Sequence, residues 1–492
     1  MEKPGFLRRI AFGALCFAGL ATYASVPRVA TTPRGDANLD YAVNVSDVTT
    51  VVDSLLCGSF AYWCDANQDG VLNTSDVTEI INIILSGDEV APSPTYSGTL
   101  PTLFINTENH WSVLTKENYL MAGIYIVNPD GTMHASAEAP QEVKIKGRGN
   151  STWADCPKKP YKLKFLEKTA LLGMPKNKEF TLLPHFLDWW GYQQNTIGFR
   201  LSERMGLPYT PRQQPVELVL NGAYIGLYFL TEQINVDKNR VNIAKQDDGE
   251  TDAEKITGGW LIEIENYPEE ESILIHENDD RQKQNLYFTC KAPEELSPAQ
   301  LNYIKRYLKR TDFEIYDGAP NDTTWERYID MESLAKFYIV NEIVDNKEAF
   351  SGSCYMSKDR GADTKLTFGP VWDFGSSFCA WEAGSDSCFH SFIYEHLPHY
   401  ANSHWIGKIA QYTRFQQKVR ELWKQFYENE YQGILDYADA FALSIKEAAA
   451  ADFARWPSGR SGSVVARKDQ FYIPSLKAKV AWLQQQWGAP TP

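Results

Sequence analysis

Two short stretches near the start of the chain carry oxygen side chains at the spacing of a cation-binding loop. Asp36, Asn38 and Asp40 stand at loop positions 1, 3 and 5 of the first, with Asn44 at 9 and Asp47 at 12. Asp65, Asn67, Asp69, Asn73 and Asp76 repeat the pattern 29 residues later. A hard cation needs about six to eight oxygens wrapped by one turn of chain, which is the ligand spacing of an EF-hand-type calcium loop. A surface turn rich in Asp and Asn produces such a pattern once by chance. Two copies, each followed by a matching apolar helix pattern, point to two calcium ions.

Two further groupings could do chemistry. Arg148, flanked by Gly147 and Gly149, precedes a stretch carrying Lys162 and Lys164. Cations at a glycine-rich turn suit a polyanion such as nucleotide phosphates, although a strand of lysines is more often a solvated face. Downstream, Asp345-Asn346-Lys347-Glu348 is followed by Trp372-Asp373-Phe374-Gly375. Two acids brought in by separate segments, Glu348 and Asp373, could hold Mg2+ and activate a hydroxyl, the division of labour in phosphoryl transfer. The plainer alternative is a buried aspartate capping a turn.

These residues need a folded chain of some size. The sequence has 492 residues, is 43% hydrophobic and 13% aromatic, and so supports two or more domains with large cores. A net charge of −15 argues against nucleic acid or an anionic membrane as a general partner. Lys3, Arg8 and Arg9 followed by an apolar run of roughly 15 residues read as an export signal over residues 1–24, too short for a span of about 20. The chain is therefore expected to be secreted or held at the cell surface, with no membrane partner after cleavage. In that setting Cys57 with Cys64, and Cys379 with Cys388, are plausible disulfides, whereas Cys156, Cys290 and Cys354 cannot be paired from sequence. No Cys/His spacing suggests zinc.

The organisation reads as a calcium module over 35–86, a breaker-rich linker over 87–100, and a large α+β domain over 101–492. In the module, Val48, Val51, Val52, Leu55 and Leu56 and then Val77, Ile80, Ile81, Ile84 and Leu85 form helical stripes that should pack on each other. Strands are expected at 102–106, 122–127, 143–146, 161–165 and 260–265, with a hairpin of 216–220 and 224–230 around Asn221-Gly222. Helices are expected at 195–205, ended by Gly206, and at 333–341, 414–429, 438–452 and 475–486.

The paired loops resemble a type I dockerin, a module that docks onto a cohesin domain of a scaffold in polysaccharide-degrading assemblies. They depart from it at Tyr41, where the second loop keeps Gly70. The remainder resembles the spore-coat protein H (CotH) kinase family. The resemblance rests on Gly147 to Trp153, Lys158 to Lys164, Leu182-Leu183-Pro184, Glu217 to Tyr228, Glu232, Gly258 to Glu263 and Gly369 to Phe374. It implies an atypical protein-kinase-like fold, with ATP and a divalent metal transferring phosphate to a secreted protein substrate. Asp373 would then be the metal-binding aspartate, Lys162 or Lys164 the phosphate lysine, and Glu348 the catalytic acid. Glu348 stands where many members have Asp, Gly375 where many have a second acid, and Ser353 where an Asn is frequent. A glutamate is one methylene longer, and a misplacement of about 1 Å can cost on the order of a hundredfold in rate. A catalytically weak binding module is thus the alternative expectation. A glycoside hydrolase is the third; it would need two facing carboxylates about 5–9.5 Å apart.

Overall fold

The structure is a computed structural model that describes residues 33–38, 43–57, 62–67, 69, 71–86, 95–186, 192–265, 272–275, 286–378, 388–395, 404–456 and 463–488. The export signal, Asp40, Tyr41, Gly70, most of the linker and Cys379 lie outside the described residues. The chain divides into two compact units. The first takes residues 1–187, 214–231 and 445–463; the second takes 188–213, 232–444 and 464–492.

In the first unit eight strands form one sheet: β1 (Thr102–Thr107), β2 (Leu120–Val127), β3 (Met133–His134), β4 (Gln141–Gly147), β5 (Tyr161–Leu171), β6 (Met174–Leu183), β7 (Gln213–Leu220) and β8 (Ala223–Glu232). Their order is β1-β7-β8-β6-β5-β4-β2-β3, and β1 also pairs antiparallel with β2, which closes the sheet into a barrel-like ring. Strict alternation drives it. Tyr161, Leu163 and Phe165 are buried while Lys162 and Lys164 face outward, so a one-residue slip would turn the lysines into the core. The interior is filled by residues such as Ile124, Val143, Ile145, Phe180, Leu218 and Leu230. The hairpin turn falls where expected, with Asn221 at φ 49 and Gly222 at φ 84, the two left-handed residues of a type I′ turn. Asn221 Oδ1 accepts from the Thr107 backbone N–H at 2.8 Å and so ties the turn to the end of β1.

The N-terminal module belongs to this unit. Its helices, Val45–Leu56 and Thr74–Ser86, pack through fully buried Val51 and Ile80. The ends of the expected stripes do not join in, for Leu56 and Leu85 are 80% and 78% exposed. Trp63 packs both on this small core and on the barrel core. The expected Cys57–Cys64 bridge is not formed. Cys64 is a free, buried thiol turned into the module core, with Sγ 3.5 Å from Ser54 Oγ.

The second unit has a sheet of β9 (Trp260–Ile264), β10 (Ile273–Ile275), β11 (Leu286–Ala292), β12 (Cys354–Lys358) and β13 (Leu366–Phe368), in the order β10-β11-β9-β12-β13, all antiparallel. Helices cover one face, burying Trp260, Ile262 and Ile264 against Ile304, Leu308 and Val340 in the largest core. The helix Gln194–Met205 ends as expected at Gly206, φ 70. The expected helix 438–452 is instead two, Tyr431–Ser444 and Lys446–Arg455, separated by Ile445 at φ −103, ψ 2. The break falls where the chain leaves the second unit for the first. Among the described residues no helix is long and apolar enough to cross a membrane.

Candidate functional site

The acids of the second unit are gathered by two loops. The helix Met331–Ile343 stops at Val344, and Asp345 then adopts a left-handed backbone, φ 52. Asp345 is fully buried, with its carboxylate 3.1 Å from Lys479 Nζ; the same ammonium lies 3.1 Å from Glu342 Oε2 and donates to Ser391 O at 2.6 Å. All three charged side chains are inaccessible to solvent, so this is a closed ionic brace under the loop. Burial pushes the Glu342 carboxyl up, and Lys479 pulls against that push.

The next residues stand on that brace. Asn346 is fully buried; its Nδ2 donates to Asn341 Oδ1 at 3.0 Å and to the Asp373 carbonyl at 3.3 Å. Its Oδ1 accepts nothing among the described residues, an orphan that ordinarily costs about 1–3 kcal/mol. Asp373 itself is left-handed, φ 56, a conformation that costs a non-glycine residue about 1–2 kcal/mol. Two bonds hold it there. Phe374 N–H donates to Asn195 Oδ1 at 2.8 Å, and Gln194 Nε2 donates to Gly375 O at 3.2 Å. The Phe374 ring lies directly over Gly198, where a Cβ would come within 2.4 Å of it.

Glu348 and Asp373 lie close enough for the Asp373 charge to act on the Glu348 carboxyl. Both are exposed as residues. The Glu348 carboxyl is held above the usual range first by the atoms crowding it and then by the neighbouring Asp373 charge, while a Ser376 hydrogen bond pulls it down. Because the residue is exposed, solvent screens much of that push. The acids are oxygen donors, the kind a hard divalent cation takes, but among the described residues no three His, Cys, Asp or Glu side chains gather around them.

In the first unit β4 and β5 align four lysines. Lys146 stands opposite Lys162 and Lys144 opposite Lys164. Like charges directly opposed weaken a sheet. The carboxylate that relieves them is Glu179 on β6, 3.4 Å from Lys162 and 3.8 Å from Lys164. Lys146 lies over the Tyr119 ring at 4.8 Å, and burial followed by the Lys162 charge lowers its pKa. Arg148 follows directly at the end of β4, its N–H bonded to Pro160 O at 3.2 Å. Gly147 is required there because a Cβ would strike Trp153 at 2.4 Å.

Lys158 was legible only as one of a run of lysines, yet it is fully buried. It pairs with Asp452 at 2.7 Å, donates to Pro184 O and Leu227 O, and lies 4.8 Å from the Tyr228 ring centroid. A second unforeseen group is Glu263 on β9, 4% exposed, with Lys291 Nζ at 3.2 Å; burial raises its carboxyl to about 7.

The described residues of the two N-terminal loops share the same hydrogen bonds. Asp47 accepts from Asn38 N–H at 3.0 Å and from Asn44 N–H at 2.8 Å; Asp76 accepts from Asn67 and Asn73 at 3.2 and 2.8 Å. Asn44 and Asn73 also accept from Ser46 and Ser75 N–H at the helix starts, so capping and ligation call on the same side chains. Asp36, Asp47, Asp65 and Asp76 are all buried, and Asp69 lies in the exposed part of the second loop. Burial pushes the Cys64 thiol to about 12, and Asp76, Asp47 and Asp65 add to that push. Part of that negative field is already met by a cation of the chain itself, for Arg455 Nη1 lies 3.7 Å from Asp65 Oδ2. Among the described residues no three His, Cys, Asp or Glu side chains gather tightly enough to form a metal cluster, so asparagine and backbone oxygens would have to complete each shell.

None of the curated proteins compared with the chain matches it. The family described as CotH kinase protein matches residues 145–482, from the lysine ladder through Glu348 and Asp373 to the helix that carries Lys479. With well over half of its length matched, the chain belongs to the CotH kinase family.

Proposed function

We propose that the chain is a secreted kinase-like phosphotransferase that moves the γ-phosphoryl group of ATP to a hydroxyl of a protein substrate. The observation that carries this reading is the convergence of Glu348 and Asp373 on loops braced from below by Lys479 and tied by Asn195 and Asn346. Asp373, with the Asn346 oxygen, would hold Mg2+, which supplies neutralisation of phosphate charge. Glu348, its carboxyl held above its ordinary range by the atoms crowding it, accepts the proton of the attacking hydroxyl. By resemblance the phosphate lysine is Lys162 or Lys164, which the first unit carries with Arg148 at the end of the ladder. The acceptor oxygen bonds to the γ-phosphorus, the bond to the bridging oxygen breaks, and ADP leaves with that electron pair.

The N-terminal module is read as a dockerin that binds two Ca2+ and attaches the chain to a cohesin of a polysaccharide-degrading assembly. The duplicated loop geometry supports it.

A second reading, a catalytically weak binding module of the same assembly, is favoured by one observation. A Cβ at Gly375 would crowd Asp373 Oδ1 at 3.3 Å and meet nothing else among the described residues, so at the place where many members by resemblance carry a second acid this chain presents no side chain. Thermal shift with ATP and Mg2+ separates the two readings. A rise in melting temperature that is lost in Asp373→Asn is expected, and no shift at millimolar ATP refutes nucleotide use.

A further inference from the structure

The helix Pro298–Asp317 of the second unit begins with a full capping box, Ser297 and Gln300, and buries Ile304, Leu308 and Ile315. Its other face borders a cleft of about 840 Å³ lined by Ile256 and Ala299 and by Lys305, Arg306, Lys309 and Arg310, with Phe313 at one end. All four cations are exposed, and so is Phe313 at 46%. Arg310 pairs with Glu314 and lies 5.2 Å from the Phe313 ring centroid. Lys305, Arg306 and Lys309 make no ion pair among the described residues. Lys305 and Lys309, and Arg306 and Arg310, are like-charge pairs at i,i+4 spacing, which weakens a helix. In a chain of net charge −15, three cations without an ion pair on one helix face are a local excess of positive charge.

From this we infer that the cleft is a docking site for an acidic, apolar-anchored peptide segment of a partner protein. Charge complementarity names the sign of the partner, and the apolar lining names its second component. Ile256, Ala299 and the Phe313 ring would receive aliphatic side chains while the cationic rim meets carboxylates. A polyphosphate chain would gain nothing from the apolar lining. The inference does not depend on phosphoryl transfer; if that transfer occurs, the cleft selects its protein acceptors.

The test is fluorescence anisotropy of the full chain with a short labelled peptide of glutamate and leucine in equal parts. Sodium polygalacturonate and a serine-for-glutamate peptide serve as comparators. Saturable binding is expected, weakened roughly tenfold or more in Lys305→Glu/Arg306→Glu/Lys309→Glu and by added salt. Phe313→Ala should weaken the peptide and leave polygalacturonate unchanged. Because these side chains are exposed, both variants should keep the parent's circular dichroism, and the ATP-dependent melting shift should be unchanged in them, which separates this site from the acid pair. Equal binding of peptide by the charge-reversed chain, preference for polygalacturonate, or salt-sensitive self-association of the chain through this helix would each overturn the inference.

Discussion

Glu263 offers the sharpest test of how the second unit is built. Its carboxyl is 4% exposed on β9 and is held at about 7 instead of the 4.5 of a free glutamate, chiefly by burial, with Lys291 and Tyr355 opposing the rise. A displacement of that size makes the charged form cost about 3 kcal/mol in the folded state. Between the two values the folded chain holds a proton that the unfolded chain has released. The associated stability is therefore fully present below about pH 4.5 and is lost as pH rises through about 7. Glu263→Gln keeps the shape, removes the charge and leaves Lys291, itself 30% exposed, to water and to Glu265 at 3.9 Å. With about 1 kcal/mol allowed for the lost pairing, the variant should be more stable than the parent by about 2 kcal/mol at pH 8 and nearly equal to it at pH 5. Urea unfolding at both values, with hydrogen exchange of the β9 amides as a local readout, measures the difference. A variant that is destabilised at pH 8, or that differs from the parent equally at both values, would show that Glu263 is ionised in the folded protein at neutral pH and that its burial is not what sets its charge.

Two further outcomes are expected. Asp452→Ala leaves the Lys158 ammonium buried without its carboxylate, and should cost about 3–5 kcal/mol in chemical denaturation of the first unit; a loss below 1 kcal/mol would mean that the carbonyls of Pro184 and Leu227 satisfy the lysine alone. Calcium should raise the melting temperature of the N-terminal module, with about 2.7 kcal/mol of stabilisation at a hundredfold excess over Kd. EDTA should reverse the effect and Asp76→Ala should reduce it; melting that ignores both calcium and EDTA contradicts the loop assignment.

Much of the barrel was legible because period-2 alternation is forced wherever one face is buried. Lys162 and Lys164 between Tyr161, Leu163 and Phe165 left one orientation open. The Asn221-Gly222 turn and the Gly206 cap were legible because each needs a backbone conformation that few residues adopt. Glu348 and Asp373 could be proposed as partners, but the groups that hold them could not. Asn195, Asn346 and Lys479 act through contacts far apart in sequence, and their identities alone predict nothing. Lys158 was hidden for the same reason: a lysine run reads as solvated until its distant partner is known. The helix Pro298–Asp317 carries a local start signal of its own, Ser297-Pro298 with Gln300. The break at Ile445 has no local stop signal, since alanine-rich chain surrounds it; the passage from one unit to the other sets it. The cysteine spacing suggested a bridge, but apolar burial claimed Cys64 first.

The Lys158–Asp452 pair also sets a clock. The barrel that begins near the N-terminus carries a buried cation whose counter-charge is encoded almost three hundred residues later, on a helix that returns to it from the far end of the chain. At roughly 5–20 residues per second of synthesis, the strands around Lys158 exist for about 15–60 s before Asp452 emerges. Until Asp452 arrives, closing the barrel over Lys158 buries an ammonium without its carboxylate, at a cost of about 3–5 kcal/mol, so the returning helix is what favours the closed barrel.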